Sequence, residues 1–317
     1  MRAAFALLAA LLVLPFAAHA GAPASASVSA YTAPNGGEGF VGTPAGTPLG
    51  LVVILHGYGH PAADHQAHLL HIAQQGYLAV AMTYTGDVNG FPLRAGADDT
   101  NSAIRDLEQQ LPAGAPRYLY SVSMGTSVAP MVLSAHSFDY WVDNEGLSML
   151  GETWTEASIL APANAFAKTA SDAITVECGG SPAQNPACYQ ERSMALRVGD
   201  IQPGLKGVVL THGLNDGLVP HNQGREMEAA LIAGGIPTDF YTYLRCGAGN
   251  EGTTLTGYAL GPAGAADPGA GLAGHGTESI DAHCLTELSF RLLDGVLAGH
   301  VPMGHTEHLV DNGETLA

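Results

Sequence analysis

The sequence is short of charge, and shortest of positive charge: 13% of its 317 residues are Asp, Glu, Lys or Arg, and only Lys168 and Lys206 are lysines. Eleven basic residues against 29 acidic ones leave a formal charge of −18. That balance argues against DNA, RNA or heparin as partners, because phosphate binding needs a basic stripe that releases counterions. Anionic membranes are disfavoured for the same reason. Cysteine is scarce too, and no Cys-x-x-Cys spacing is present to suggest a zinc site. Solenoid-length repeats, charge blocks and low-complexity linkers are all missing. Apolar residues, at 46%, are plentiful enough to exclude a disordered chain. The 41 glycines and 19 prolines announce many turns, and the length allows one large domain or two small ones.

Residues 1–20 read as a secretory signal peptide: Arg2, an apolar stretch from Ala3 to Ala18, and the small-x-small site Ala18-His19-Ala20. The stretch is short against the roughly 20 apolar residues of a spanning helix, so cleavage after Ala20 is expected rather than a membrane anchor. No Cys follows that site to carry a lipid. The mature chain would have a charge of −19, in the periplasm or outside the cell, since cleavage removes Arg2 and no acid. An even cysteine count in an exported protein suggests disulfides. Of three possible pairings, Cys178 with Cys188 and Cys246 with Cys284 are favoured, because each closes a Gly- and Pro-rich loop. Buried free thiols are the alternative.

Strands and helices alternate beyond a lead-in, residues 21–49, which holds one strand's worth of pattern. Leu51 to Leu55 is a continuous apolar run suited to a strand buried on both faces. A helix is predicted over 64–75, stopped by Gly76, and a strand over 77–84. Asp98 or Asp99 is expected to cap a helix reaching Leu111, ahead of a strand at 118–122 and a helix over 126–135. Further strands are predicted at 155–163, 207–212 and 240–244, and helices at 224–233 and 278–297. The pattern implies βαβ units around a mostly parallel sheet with helices on both faces. Residues 138–154 with 164–206, and 245–277, read as irregular.

Ser121-Val122-Ser123-Met124-Gly125 falls at a predicted strand-to-helix junction, where small neighbours would let a serine hydroxyl stand clear of the backbone at a helix N-terminus. Ser121 occupies the place of the usual first glycine. Asp216 follows the strand at 207–212, and His275 precedes the last helix. Asp239 and Asp267 are weaker substitutes for the acid, and His283, His300 and His305 lie at or beyond the last helix. Ser, then Asp, then His is the chain order of an α/β-hydrolase triad. From about residue 50 to residue 299 the sequence resembles the α/β-hydrolase family. The resemblance implies an α/β-hydrolase domain over 50–317, with Ser123 as nucleophile, His275 as general base and acid, and Asp216 orienting the imidazole. It also implies that His56-Gly57-Tyr58-Gly59 is the oxyanion segment, with the amides of Tyr58 and Met124 as donors. Independently of the name, a serine hydroxyl is a poor nucleophile until a base takes its proton, and that base needs a partner to fix its tautomer. No cofactor is implied.

His60, His65, His68 and His71 form a second cluster, the last three at spacing i, i+3, i+6. A solvated helix face is the expectation, since the outer pair diverges and no carboxylate or Cys completes a metal motif. His212-Gly213 repeats the His56-Gly57 pattern and reads as packing near the site. By the same family resemblance, about 138–206 would form a cap, which makes Trp141 and Trp154 candidates for substrate contact, with core packing as the alternative. Residues 246–276 carry ten glycines in 31 positions, far longer than an ordinary loop. The expected activity is that of an exported serine hydrolase acting on small-molecule or polymeric carboxylic esters. A peptidase, amidase or polyester depolymerase on the same fold is the alternative, and a non-catalytic or metal-binding relative the third reading.

Overall fold

A computed structural model describes residues 25–86, 90–214, 216, 218–245, 275, 282–311 and 314–316. The described strands form a single sheet in the order β1-β2-β4-β3-β5-β6-β7-β8-β9-β10. Its middle is β3 (Leu51–Leu55), β4 (Leu78–Thr83), β5 (Arg117–Val122), β6 (Tyr140–Asn144), β7 (Gly207–Gly213) and β8 (Thr238–Arg245), all parallel. β9 (His305–Asp311) continues parallel to β8, and β10 (Glu314–Leu316) turns back on it. At the other edge the lead-in supplies an antiparallel pair, β1 (Ser27–Thr32) and β2 (Glu38–Thr43), with β2 antiparallel to β4.

Alternation along the strands sorts the core into two layers, because successive side chains leave opposite faces of a sheet. Leu51, Val53 and Leu55 face one layer with α2 (Leu93–Leu107), α3 (Ala129–Leu133) and α7 (His221–Ala233). Val52 and Ile54 face the other, with α1 (Gln66–Gln74) and the last helix, α8 (Ala282–Leu297). A run such as Leu-Val-Val-Ile-Leu, buried at every position, needs both coverings.

Several boundaries differ from the sequence reading. Residues 155–163 are not a strand: they belong mostly to α4 (Leu150–Leu160), and Tyr140–Asn144, read as irregular, is the central strand β6. A five-residue strand between two turns is too short to show a period, and Tyr-Trp-Val carries its β preference in side chains buried on both faces. The inserted segment therefore begins after β6. It holds α4, α5 (Ala165–Cys178) and α6 (Pro186–Glu191). Asn164 caps α5 by accepting from the Ala167 amide at 3.0 Å, and Gly179, at φ 66°, ends it. A disulfide joins Cys178 at that end to Cys188 in α6, with Cα atoms 5.5 Å apart. Cys246 and the side chain of Cys284 lie outside the described residues, as does the expected signal peptide.

Asp99 does not cap α2. The helix starts at Leu93, and buried Asp99 accepts from the Asn35 side chain and the Thr85 amide, both at 2.8 Å, which ties the β1–β2 turn to the sheet. Among the described residues no helix is long and apolar enough to cross a membrane.

Candidate active site

The parallel strands end along one edge, and in open α/β sheets that carboxyl edge is where ligands bind. β5 delivers Ser123 there in the left-handed region, at φ 52°. A non-glycine residue held at such an angle costs on the order of 1–3 kcal/mol and persists only where its surroundings impose it. A short 3-10 turn, Ser123–Ser127, follows, then α3; the helix predicted over 126–135 is thus split, with Pro130 in the first turn of its second part. Gly125 explains how the turn fits. A Cβ there would stand 2.3 Å from the Leu55 carbonyl oxygen, so only glycine lets this turn pass against the end of β3. That approach sets the end of β3 and the His56 carbonyl against the turn that holds Ser123 and Met124.

Ser121 uses its hydroxyl where the usual motif has no side chain. It donates to Asp143 Oδ1 at 2.5 Å and accepts from the indole N–H of Trp141 at 2.7 Å, while the Thr126 hydroxyl also donates to Asp143. Burial raises the Asp143 carboxyl to about 6, against the pull of the two hydroxyls. Trp141 is consequently a fully buried strand residue with its N–H committed, and it does not face a substrate. Trp154 sits inside the insertion, donating to Thr175 Oγ1 at 2.8 Å with its ring edge-on to Tyr189.

The loop after β7 holds Asp216, whose Oδ1 accepts the amides of Leu218 and Val219, each at 2.8 Å. Its Oδ2 lies 2.6 Å from His275 Nδ1, and His275 Nε2 lies 2.9 Å from Ser123 Oγ. Burial by itself would raise the Asp216 carboxyl; His275 and His212 outweigh it and hold the group below its ordinary value. With Nδ1–H donating to that carboxylate, the Nε2 lone pair is left facing the serine. Such an arrangement can take a proton from Ser123 and return it to a leaving group. The sequence-predicted Ser123, Asp216 and His275 are therefore in one hydrogen-bonded line.

His212, on β7, donates from Nε2 to the Val219 carbonyl at 2.8 Å and stands 3.4 Å from Asp216 Oδ2. Burial disfavours its charge, yet Asp216 reverses the balance and raises it. Tyr58 packs its ring against Phe91 and Phe166, 5.3 and 5.7 Å between centroids, which brings the insertion to the His56–Gly59 segment. Sequence reasoning missed Phe91, Phe166 and Glu145. The last lies fully buried just past β6, so overlooking that strand hid it.

The histidines of 60–71 do not form one solvated face. Among the described residues, His65 is buried with neither ring nitrogen hydrogen-bonded, and His68 stacks on Phe290 at 3.8 Å, while His60 pairs with Asp64 and His71 with Asp294. Phe290 and Asp294 of α8 lie against the side of α1 that the sequence reading leaves to solvent.

No protein-family profile matches the chain, and no curated protein sequence matches it. Solved structures do. A puromycin hydrolase superposes with a TM-score of 0.53 at 18% identity, over 69% of this chain and 35% of its own. An acylaminoacyl peptidase of Pyrococcus horikoshii gives 0.52 at 15% identity, over 71% and 38%. This chain has the α/β-hydrolase fold. It spans little more than a third of the length of those larger proteins. On that fold, the residue after β5 and the loop after β7 bring Ser123 and Asp216 to the hydrogen bonds with His275.

Proposed function

We propose that this protein is an exported serine hydrolase that cleaves carboxylic esters through an acyl-enzyme on Ser123. The observation that carries the reading is the position of His275, 2.9 Å from Ser123 on one side and 2.6 Å from Asp216 on the other. In the first step His275 Nε2 takes the Ser123 proton as Oγ attacks the acyl carbon, and Asp216 stabilises the imidazolium. The amides of Tyr58 and Met124 hold the oxyanion. His275 then protonates the departing alcohol, and water repeats the sequence to free the acid. Export is supported by the disulfide Cys178–Cys188, since such bonds persist in oxidising compartments.

A second reading, cleavage of amides, draws support from the names of the solved structures, one of them an acylaminoacyl peptidase. The same groups serve both bonds, and a site able to expel an amine also cleaves an activated ester. Purified protein should hydrolyse a short-chain aryl ester and be labelled by a fluorophosphonate at Ser123. Equal labelling of wild type and Ser123→Ala would sink the assignment. Rates on a matched ester and anilide decide between the bonds.

A further inference from the structure

Behind His275 stands a second carboxylate. Glu145 follows β6, is fully buried, and places Oε2 3.7 Å from His275 Nδ1. The residue is fixed at both its backbone and its side chain: its amide donates to the Thr211 carbonyl at 2.8 Å, and its Oε1 accepts the Gly213 amide at 3.2 Å. It holds φ 51°, so the site contains two non-glycine residues in the left-handed region, Ser123 and Glu145, and these are the only two among the described residues. Strain of this kind is kept where a side chain must be aimed. The ligand-capable atoms of Glu145, Asp216 and His275 all fall within 4.8 Å of one another.

We propose that Glu145 is a positioning residue that acts through His275, sharing with Asp216 the stabilisation of the imidazolium. The inference rests on the serine hydrolase reading above. When the proton of Ser123 moves to Nε2, the ring carries one positive charge at a buried site. Asp216 accepts the Nδ1–H, and Glu145 acts across 3.7 Å as a second negative charge that strengthens the base. Among the described residues, the groups facing this pair include Ser123 from the turn after β5, Tyr120 on β5, His212 on β7 and Tyr243 on β8, with Asp143 of β6 acting on Tyr120 and Arg291 of α8 on Tyr243. Tyr120 and Tyr243 are held above the ordinary tyrosine range by burial, Glu145 adding to it, and stay neutral. His212 is already engaged by Asp216 and Val219.

The test is the pH dependence of the fluorophosphonate labelling rate at Ser123, which needs no knowledge of the natural substrate. In Glu145→Gln the acid limb of that rate should shift to lower pH by about one unit, as expected when an opposite charge is removed from near a histidine. Asp216→Asn should keep residual labelling, and adding Glu145→Gln should reduce it about tenfold more. An acid limb that stays in place, or a double variant no slower than Asp216→Asn, would overturn the role of Glu145. Should Gln impair folding, Glu145→Asp keeps the charge but withdraws it by one methylene, and the limb should move in the same direction by less; an unmoved limb there also overturns the proposal. Absence of Ser123-dependent labelling in wild type is a different failure, that of the serine hydrolase reading.

Discussion

The indole N–H of Trp141 donates to the hydroxyl of Ser121 at 2.7 Å, beneath the turn that presents Ser123. Ser121 is thus no mere small residue in place of a glycine: it joins β5 to β6 through Trp141 and Asp143. Ser121→Ala leaves a buried indole N–H and a buried carboxyl each short of a partner, at a cost of about 1–3 kcal/mol. Urea unfolding of the variant measures it. A change under a few tenths of a kcal/mol would mean that the network contributes little.

His275→Ala should lower ester turnover by roughly a thousandfold or more, with KM changed far less, because the base acts on the reacting proton. Steady-state kinetics on an aryl ester checks this. A rate near that of wild type would direct attention to another histidine.

Acid should weaken the fold through His65. Burial pushes His65 down to about 3, whereas in the unfolded chain it protonates near its ordinary 6.5. Between those values the unfolded state binds the extra proton, so stability is full above 6.5 and falls as pH drops toward 3. The slope for one such group is roughly 1.4 kcal/mol per pH unit. His65→Leu should therefore lose about 2–3 kcal/mol less than wild type between pH 7 and pH 4.5 in denaturant titrations. Parallel losses in the two proteins would refute the assignment.

Ser123 and Asp216 were legible because each follows the end of a strong apolar run, at Val122 and Gly213, as His56 follows Leu55; His275 was legible by its place ahead of the last helix. Runs buried on both faces advertise themselves in composition. β6 did not, being five residues long, ending in polar Asp143 and Asn144 and bounded by Asp139 and Glu145, and with it went Glu145 and the true start of the insertion. Partners distant in sequence were equally hidden. Nothing local to His68 tells that Phe290, more than two hundred residues on, stacks over it.

Removing the Cys178–Cys188 disulfide, by Cys178→Ser with Cys188→Ser, should cost about 3 kcal/mol, the loop entropy released by a bridge of separation 10. Thermal unfolding of the double variant compares directly with wild type. An unchanged Tm would show that α5 and α6 hold together by packing alone.

Gly125 allows a form of inactivation that touches no reacting group. One methyl group, as in Gly125→Ala, meets the Leu55 carbonyl and wedges the turn after β5 from the end of β3. The amides proposed as oxyanion donors, those of Tyr58 and Met124, would then move apart while Ser123, Asp216 and His275 keep their chemistry. Loss of turnover with a folded, intact set of side chains is the expected result, checked by kinetics beside circular dichroism. An inventory of reactive residues would score that variant as complete; the spacing of two backbone segments is what it would lack.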